Sequence, residues 1–262
     1  MNQLKKLIVC QQKKLHILLF IIQNNYYEKG QDLARVIDVG FTEITMADRD
    51  IDAIYELLQR KYNLRIKTKD ASASIHIRQI DFEDAADDII ANTNLPTGVT
   101  AGMVNFGIHY LAHDKTDHNK NLPLIEFFKL INHTLRAQGR FLITCFDGKA
   151  IFDLLSDKDE WSTENKKYSI KKAYTSPELT SLNQAIDVLL PFSGGSYYRE
   201  YLVNMQFIET VVNDNGFKVL ANESFATMLR QFKKNNPKVY NQLDESDKEY
   251  ISLYSFMIIE KQ

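Results

Sequence analysis

The chain has 262 residues, with 32 Lys and Arg against 34 Asp and Glu, 44% hydrophobic residues, 10 Gly, 5 Pro and 2 Cys. So few glycines exclude collagenous, linker-like and low-complexity chains, and a net charge of −2 excludes the broad basic surface of a protein that grips nucleic acid mainly by counterion release. Cys10 and Cys145 lie far apart with no CxxC or His partner, which indicates neither a disulfide framework nor a zinc site.

Leu15 to Ile22 is a short, continuous, Ile/Leu-rich run, the pattern of a strand buried on both faces. It is far below the roughly 20 residues of a membrane span. The following Gln23-Asn24-Asn25-Tyr26-Tyr27 is no signal-peptide cleavage site, so an intracellular chain without a membrane partner is expected. Gly30 to Asp38 reads as a helix stopped at Gly40, and Phe41 to Asp48 as a strand ending on an acid. Asp50 to Tyr62 is helical, Ile75 to Asp81 alternates as a third strand, and Val99 to Phe106 is a fourth. An amphipathic helix from Leu122 to Leu135 precedes a turn at Gly139 and a fifth strand, Arg140 to Phe146. Strands alternating with helical crossovers predict an open, mostly parallel α/β sheet.

Trp161 to Leu190, with scattered charges and β-like pieces, reads as an insertion over the sheet edge. Tyr201 to Asn215 is helical and stops at Gly216. Phe217 to Leu220 and Ile251 to Ile259 read as strands around the polar stretch Gln231 to Lys248, which suits an antiparallel hairpin closing the sheet. No repeat or linker divides the chain, so a single domain over 1–262 is expected, with an atypical segment at 1–29 and an insertion at about 156–200.

In such a sheet a ligand binds at the carboxyl ends of the strands. The acids there are Asp48, Asp81 and Asp147; each suits either a ribose diol or a helix N-cap. Phe106, His109 and Tyr110 follow the fourth strand, as core residues or as a slot for a flat base. His109, His113 and His118 have metal-ligand chemistry but lack carboxylate support, so no metal is expected. Lys166, Lys167, Lys171, Lys172, Lys233, Lys234 and Lys238 are RNA-backbone contacts if they converge, and solvated surface if they do not.

Phe106-Gly107-Ile108-His109-Tyr110, the stretch from Gly139 to Gly148 and Glu200-Tyr201-Leu202-Val203 resemble the QFxxHY, GGxxxxTxxDG and EYLV segments of mRNA cap guanine-N7 methyltransferases, above all the methyltransferase domains of large DNA virus capping enzymes such as those of poxviruses. The resemblance runs from about Gly30 to the C-terminus. It implies a Rossmann-like class I methyltransferase fold: a mostly parallel seven-stranded sheet with an antiparallel last strand and helices on both faces. It implies S-adenosylmethionine as cofactor, held by Gly30, Asp48, Asp81, Phe82 and Asn105. It also implies a cap-guanine pocket of Phe106, His109, Tyr110, Glu200 and Tyr254, and proximity and alignment in place of a catalytic base. The implied partners are the capped end of mRNA and other capping-enzyme domains or subunits. The implied location is the host cytoplasm or viral factory for a viral chain, and the nucleus otherwise.

Two departures stand out. Aligned on Gly30, the family's earlier loop glycines fall on Tyr26 and Glu28 and its strand-end Asp on Asn24; Asn105 replaces a Gln. A Tyr side chain obstructs close backbone approach to a cofactor, and Glu28 sets a negative charge beside a methionine carboxylate. A catalytically impaired pseudo-methyltransferase acting as a binding or stimulatory subunit is therefore the alternative reading. A small-molecule methyltransferase is a third, but it gives no reason for Glu200-Tyr201-Leu202-Val203 or Tyr254.

Overall fold

The computed structural model describes residues 16–20, 32–67, 73–114 and 122–262. Cys10, Asn24, Tyr26, Glu28, Gly30 and His118 lie outside them. In chain order come β1 (His16–Phe20), α1 (Asp32–Asp38), β2 (Glu43–Asp48), α2 (Ile51–Lys67), β3 (Ser74–Gln79), α3 (Ala86–Thr93), β4 (Val99–Asn105), α4 (Pro123–Thr134), β5 (Leu135–Phe146) and α5 (Gly148–Leu154). Four short strands follow: β6 (Glu160–Ser162), β7 (Ser169–Lys172), β8 (Ala185–Leu189) and β9 (Tyr197–Tyr201). Then come α6 (Met205–Asp214), β10 (Phe217–Ser224), α7 (Phe225–Asn235), α8 (Pro237–Tyr240), α9 (Glu245–Ser252) and β11 (Tyr254–Lys261).

The main sheet has seven strands in the order β10-β11-β5-β4-β1-β2-β3. The pairs from β5 through β3 are parallel, while β11 runs antiparallel to both β5 and β10. This is the seven-stranded, antiparallel-last-strand architecture that the resemblance implies. Side-chain alternation divides the strands between two cores. Val99, Val104, Phe141 and Ile143 pack under α4 and α6 with Phe127, Phe128, Ile208 and Val212. Ile17, Leu19, Ala101, Met103 and Leu142 face the other way, onto Leu33, Val36 and Leu57. Strands buried on both faces have no polar side to show, so β1 reads as an unbroken apolar run.

Residues 160–201 carry a separate antiparallel sheet, β6-β7-β8-β9, with its own core of Trp161, Ile170, Ile186 and Val188 against Ile151 and Leu253. Gly148 joins it to the main sheet: its N–H donates to Val203 O at 3.1 Å, and a Cβ there would fall on the Val203 carbonyl.

Several boundaries differ from those expected. Tyr201 ends a strand, and the helix after it starts only at Met205, because Asn204 caps it by accepting from Gln206 N and Phe207 N. The last strand starts at Tyr254, since Ile251 and Ser252 finish α9. The third strand stops at Gln79, short of Asp81. β5 begins at Leu135, before the expected Arg140, with Gly139 inside an irregular stretch where Val99 pairs with Leu135 and Ala101 with Arg140. The polar stretch Gln231 to Lys248, read as a helical or loop excursion between the last two strands, is mainly helical and contributes to α7, α8 and α9.

Candidate functional site

Strand order reverses between β1 and β4, so a crevice opens at the carboxyl ends of these strands. Directly after β4, Phe106 takes the left-handed backbone at φ 52°, which costs a non-glycine residue about 1 to 2 kcal/mol. Its N–H is held by Thr144, donating to the carbonyl at 2.8 Å and to Oγ1 at 3.2 Å. Beyond it a single 3-10 turn, Ile108–Leu111, carries His109 and Tyr110. Strain kept at such a position points to a function. Because β11 is antiparallel, its first residue lies at the carboxyl end of the parallel strands, with Tyr254 paired to Phe146.

These segments and β9 meet around one cavity of about 230 Å³, lined by Phe106, His109, Tyr110, Glu200 and Tyr254. All five residues assigned to the base pocket therefore stand together. The Phe106 and Tyr254 rings meet edge to face at 5.0 Å and 80°, and Tyr254 stacks on Phe146 at 4.2 Å and 20°. The other lining residues, Tyr168, Leu190, Phe192, Phe225, Tyr250 and Ile251, were not among those expected at the pocket. Tyr168, Leu190 and Phe192 fall in the expected insertion; Phe225 and Tyr250 flank the polar stretch and carried no signal.

Glu200 and His109 are 5% and 4% exposed, with Oε2 and Nε2 3.6 Å apart. Burial pushes the Glu200 carboxyl up to about 8 and His109 down to about 3, because each charged form loses its water. Among the described residues, His109 Nε2 has no hydrogen-bond partner. A buried imidazole nitrogen left this way, beside a buried carboxylate at the wall of a cavity, is a candidate ligand-directed arrangement. Burial first, then the nearby Glu200, also holds the Tyr110 phenol above its ordinary range.

The residues assigned to the cofactor lie at the ends of neighbouring strands. Asp48, at the end of β2, is buried, and its Oδ1 accepts the Asp50 N–H at 2.9 Å. Asp81 is exposed, accepting from Glu83 N at 3.0 Å, with Arg49 Nη1 3.9 Å away. Asn105 Oδ1 accepts from the Thr144 hydroxyl at 3.1 Å. The Phe82 ring is in the core, edge to face with Phe127 at 5.9 Å, so only its backbone is left to serve a ligand. Asp147 N-caps α5, accepting from Lys149 N and Ala150 N, the alternative role open to such an acid.

The lysines divide. Lys167 is paired with Asp244 and Asp247, Lys171 lies over Tyr197 at 4.0 Å, and Lys172 and Lys233 lie over Tyr174 and Tyr240. Among the described residues, no three His, Cys, Asp or Glu side chains are grouped to hold a metal ion. No helix among them is long and apolar enough to cross a membrane.

No protein-family model matches the chain. It is 29% identical over 248 residues to the mRNA-capping enzyme of African swine fever virus (isolate Tick/South Africa/Pretoriuskop Pr4/1996), a match covering 89% of this chain and 28% of that protein. It is 30% identical over 167 residues to the probable mRNA-capping enzyme of Acanthamoeba polyphaga mimivirus, covering 58% of this chain and 14% of that protein. The chain thus spans under a third of the length of these relatives. Among solved structures, the S-adenosylmethionine-dependent methyltransferase of Mesorhizobium loti superposes with a TM-score of 0.55 at 11% identity, over 99% of this chain and 96% of that one. Fold and sequence together make the chain a class I methyltransferase-fold relative of the mRNA-capping enzymes of large DNA viruses.

Proposed function

We propose that the chain transfers a methyl group from S-adenosylmethionine to guanine N7 of an RNA cap. The observation that carries this reading is the convergence of Phe106, His109, Tyr110, Glu200 and Tyr254 on one cavity at the carboxyl ends of the strands, in a relative of viral capping enzymes.

The polar groups at the ends of β2, β3 and β4 fit a nucleoside cofactor. Asp48 would hold the ribose, since a carboxylate accepts from both hydroxyls of a diol. Asp81 and the Phe82 backbone would hold the adenine, and Asn105, anchored by Thr144, would support the rest. When bound, S-adenosylmethionine supplies an electrophilic methyl group. Glu200, once ionised, accepts from guanine N1–H and the exocyclic amine and orients N7. Guanine N7 has a free lone pair, so no side chain has to remove a proton. Catalysis rests on alignment and on a field set in advance. The Phe106 and Tyr254 rings favour the positive charge developing on the base by a cation–π effect of roughly 0.5 to 2 kcal/mol, and the buried surroundings exclude water.

Titration with S-adenosylhomocysteine and with the cap dinucleotide GpppA tests this reading. Saturable binding of both is expected; binding of neither contradicts it. The second reading, a binding subunit without activity, is favoured by Tyr26 and Glu28 in place of loop glycines. It predicts that GpppA binds without detectable S-adenosylhomocysteine binding, and that replacing Tyr26 and Glu28 by Gly restores cofactor affinity.

A further inference from the structure

We propose that the turn joining β6 to β7 and the start of α9 form a clasp that sets the aromatic wall of the cavity, with Tyr168 and Asp247 as positioning residues for Tyr250 and Tyr254. This inference rests on the reading of the cavity as a cap-base site.

The clasp joins segments about eighty residues apart by several directed contacts. Asn165 Oδ1 accepts the Lys167 N–H at 3.0 Å on its own side and the Ser246 hydroxyl of α9 at 2.9 Å. Lys167 Nζ donates to Asp247 Oδ1 at 2.5 Å and to Asp244 Oδ2 at 2.9 Å. The Tyr168 hydroxyl donates to the same Asp247 oxygen at 2.7 Å. Asp244 in turn caps α9, accepting from Asp247 N at 2.6 Å. An isolated exposed ion pair contributes little. Here one carboxylate receives a cation and a phenol at once and sits on the helix cap, so the geometry is specified rather than averaged.

That geometry reaches the cavity through rings. With its hydroxyl fixed, Tyr168 stacks on Tyr250 at 4.0 Å and 8°. The hydroxyl of Tyr254 donates to that of Tyr250 at 2.9 Å, and Tyr254 meets Phe106 edge to face at 5.0 Å. Tyr168, Tyr250, Tyr254 and Phe106 all line the cavity. Asp247 is absent from that lining and acts on the base only through Tyr168. Freeing the Tyr168 hydroxyl leaves its ring in place but releases its orientation, and the wall loosens around a flat ligand.

The test is calorimetric titration of the full chain and its Tyr168→Phe and Asp247→Asn variants with GpppA and, separately, with S-adenosylhomocysteine. Each variant is expected to weaken GpppA binding roughly three- to tenfold, the effect of one net hydrogen bond, with cofactor affinity unchanged; KM for capped RNA rises while kcat holds. Unchanged GpppA affinity in both variants, or an equal loss for both ligands, makes the clasp an ordinary fold contact and overturns the proposal. A wild-type chain that does not bind GpppA overturns the reading of the site, and the clasp's role with it.

Discussion

His109 Nε2 stands 3.6 Å from Glu200 Oε2, and both side chains are almost wholly buried. Burial alone favours the uncharged form of each, so the acid, pushed up to about 8, keeps its proton while the imidazole, pushed down to about 3, stays neutral.

The stability consequence has a definite sign. Between 4.5 and about 8 the folded chain keeps a proton on Glu200 that the unfolded chain has lost, so this group destabilises as pH rises. Between about 3 and 6.5 the unfolded chain protonates His109 while the folded chain does not, so this group destabilises as pH falls. The two slopes oppose each other from 4.5 to 6.5, which leaves the Glu200 limb alone between 6.5 and about 8. Urea unfolding across that limb should show stability falling by up to about 1.4 kcal/mol per pH unit. Glu200→Gln should flatten it; an equal slope in the variant contradicts the assignment.

In the proposed function the same carboxylate has to ionise to accept from guanine. GpppA affinity should therefore rise with pH until about 8, with net proton release visible as a buffer-dependent binding enthalpy. Glu200→Gln should abolish the release and weaken binding by about 1.5 to 3 kcal/mol, the range for a hydrogen bond to a charged group. Loss of affinity with proton release intact would place the titrating group elsewhere.

Phe106 is held at φ 52°. Replacing it by Gly removes the backbone strain, about 1 to 2 kcal/mol, along with ring contacts to Tyr254 and Phe225. Chemical denaturation should find Phe106→Gly within about 1 kcal/mol of wild type while GpppA binding drops at least roughly tenfold, the separation expected of strain kept for function. Equal losses of stability and binding would make Phe106 a packing residue.

Gly148 and Asp147 serve the scaffold. A Cβ at 148 would fall on the Val203 carbonyl, so Gly148→Ala should cost about 1 to 3 kcal/mol as the segment carrying Glu200 is displaced. Asp147→Ala should cost about 1 kcal/mol through the lost cap and leave S-adenosylhomocysteine affinity unchanged. A large loss of cofactor affinity in the Asp147 variant would contradict its role as a cap alone.

The parallel core was legible in the sequence because β1, β4 and β5 are largely apolar on both faces, and the acids Asp48 and Asp147 mark the ends of β2 and β5. The proposed base pocket was legible as far as its motifs are local: Phe106 to Tyr110 is one short segment, and Glu200 sits in a single strand. Tyr254 was reachable only through the resemblance, since an antiparallel last strand is what carries it to the carboxyl edge. Tyr168 and Tyr250 left no such mark. Their stack joins a hairpin to a helix, beside a hydrogen bond from Tyr168 to Asp247 that spans 79 residues, and no periodicity within either segment encodes it. Phe82 shows the converse: its ring packs into the core edge to face with Phe127, which a sequence pattern cannot distinguish from a ring turned to a ligand, so its assigned role falls to the backbone. Asp48, Asp81 and Asp147 read alike in the sequence as acids at or just past strand ends, and only their surroundings separate a buried carboxylate, a turn acceptor and a helix cap.

Methylation of a cap guanine is tested by transfer of label from methyl-labelled S-adenosylmethionine to GpppA-capped RNA, followed by digestion and identification of the product. A labelled 7-methylguanosine cap is expected, lost in Glu200→Gln. Label on any other atom, or none from a chain that binds both ligands, would contradict it.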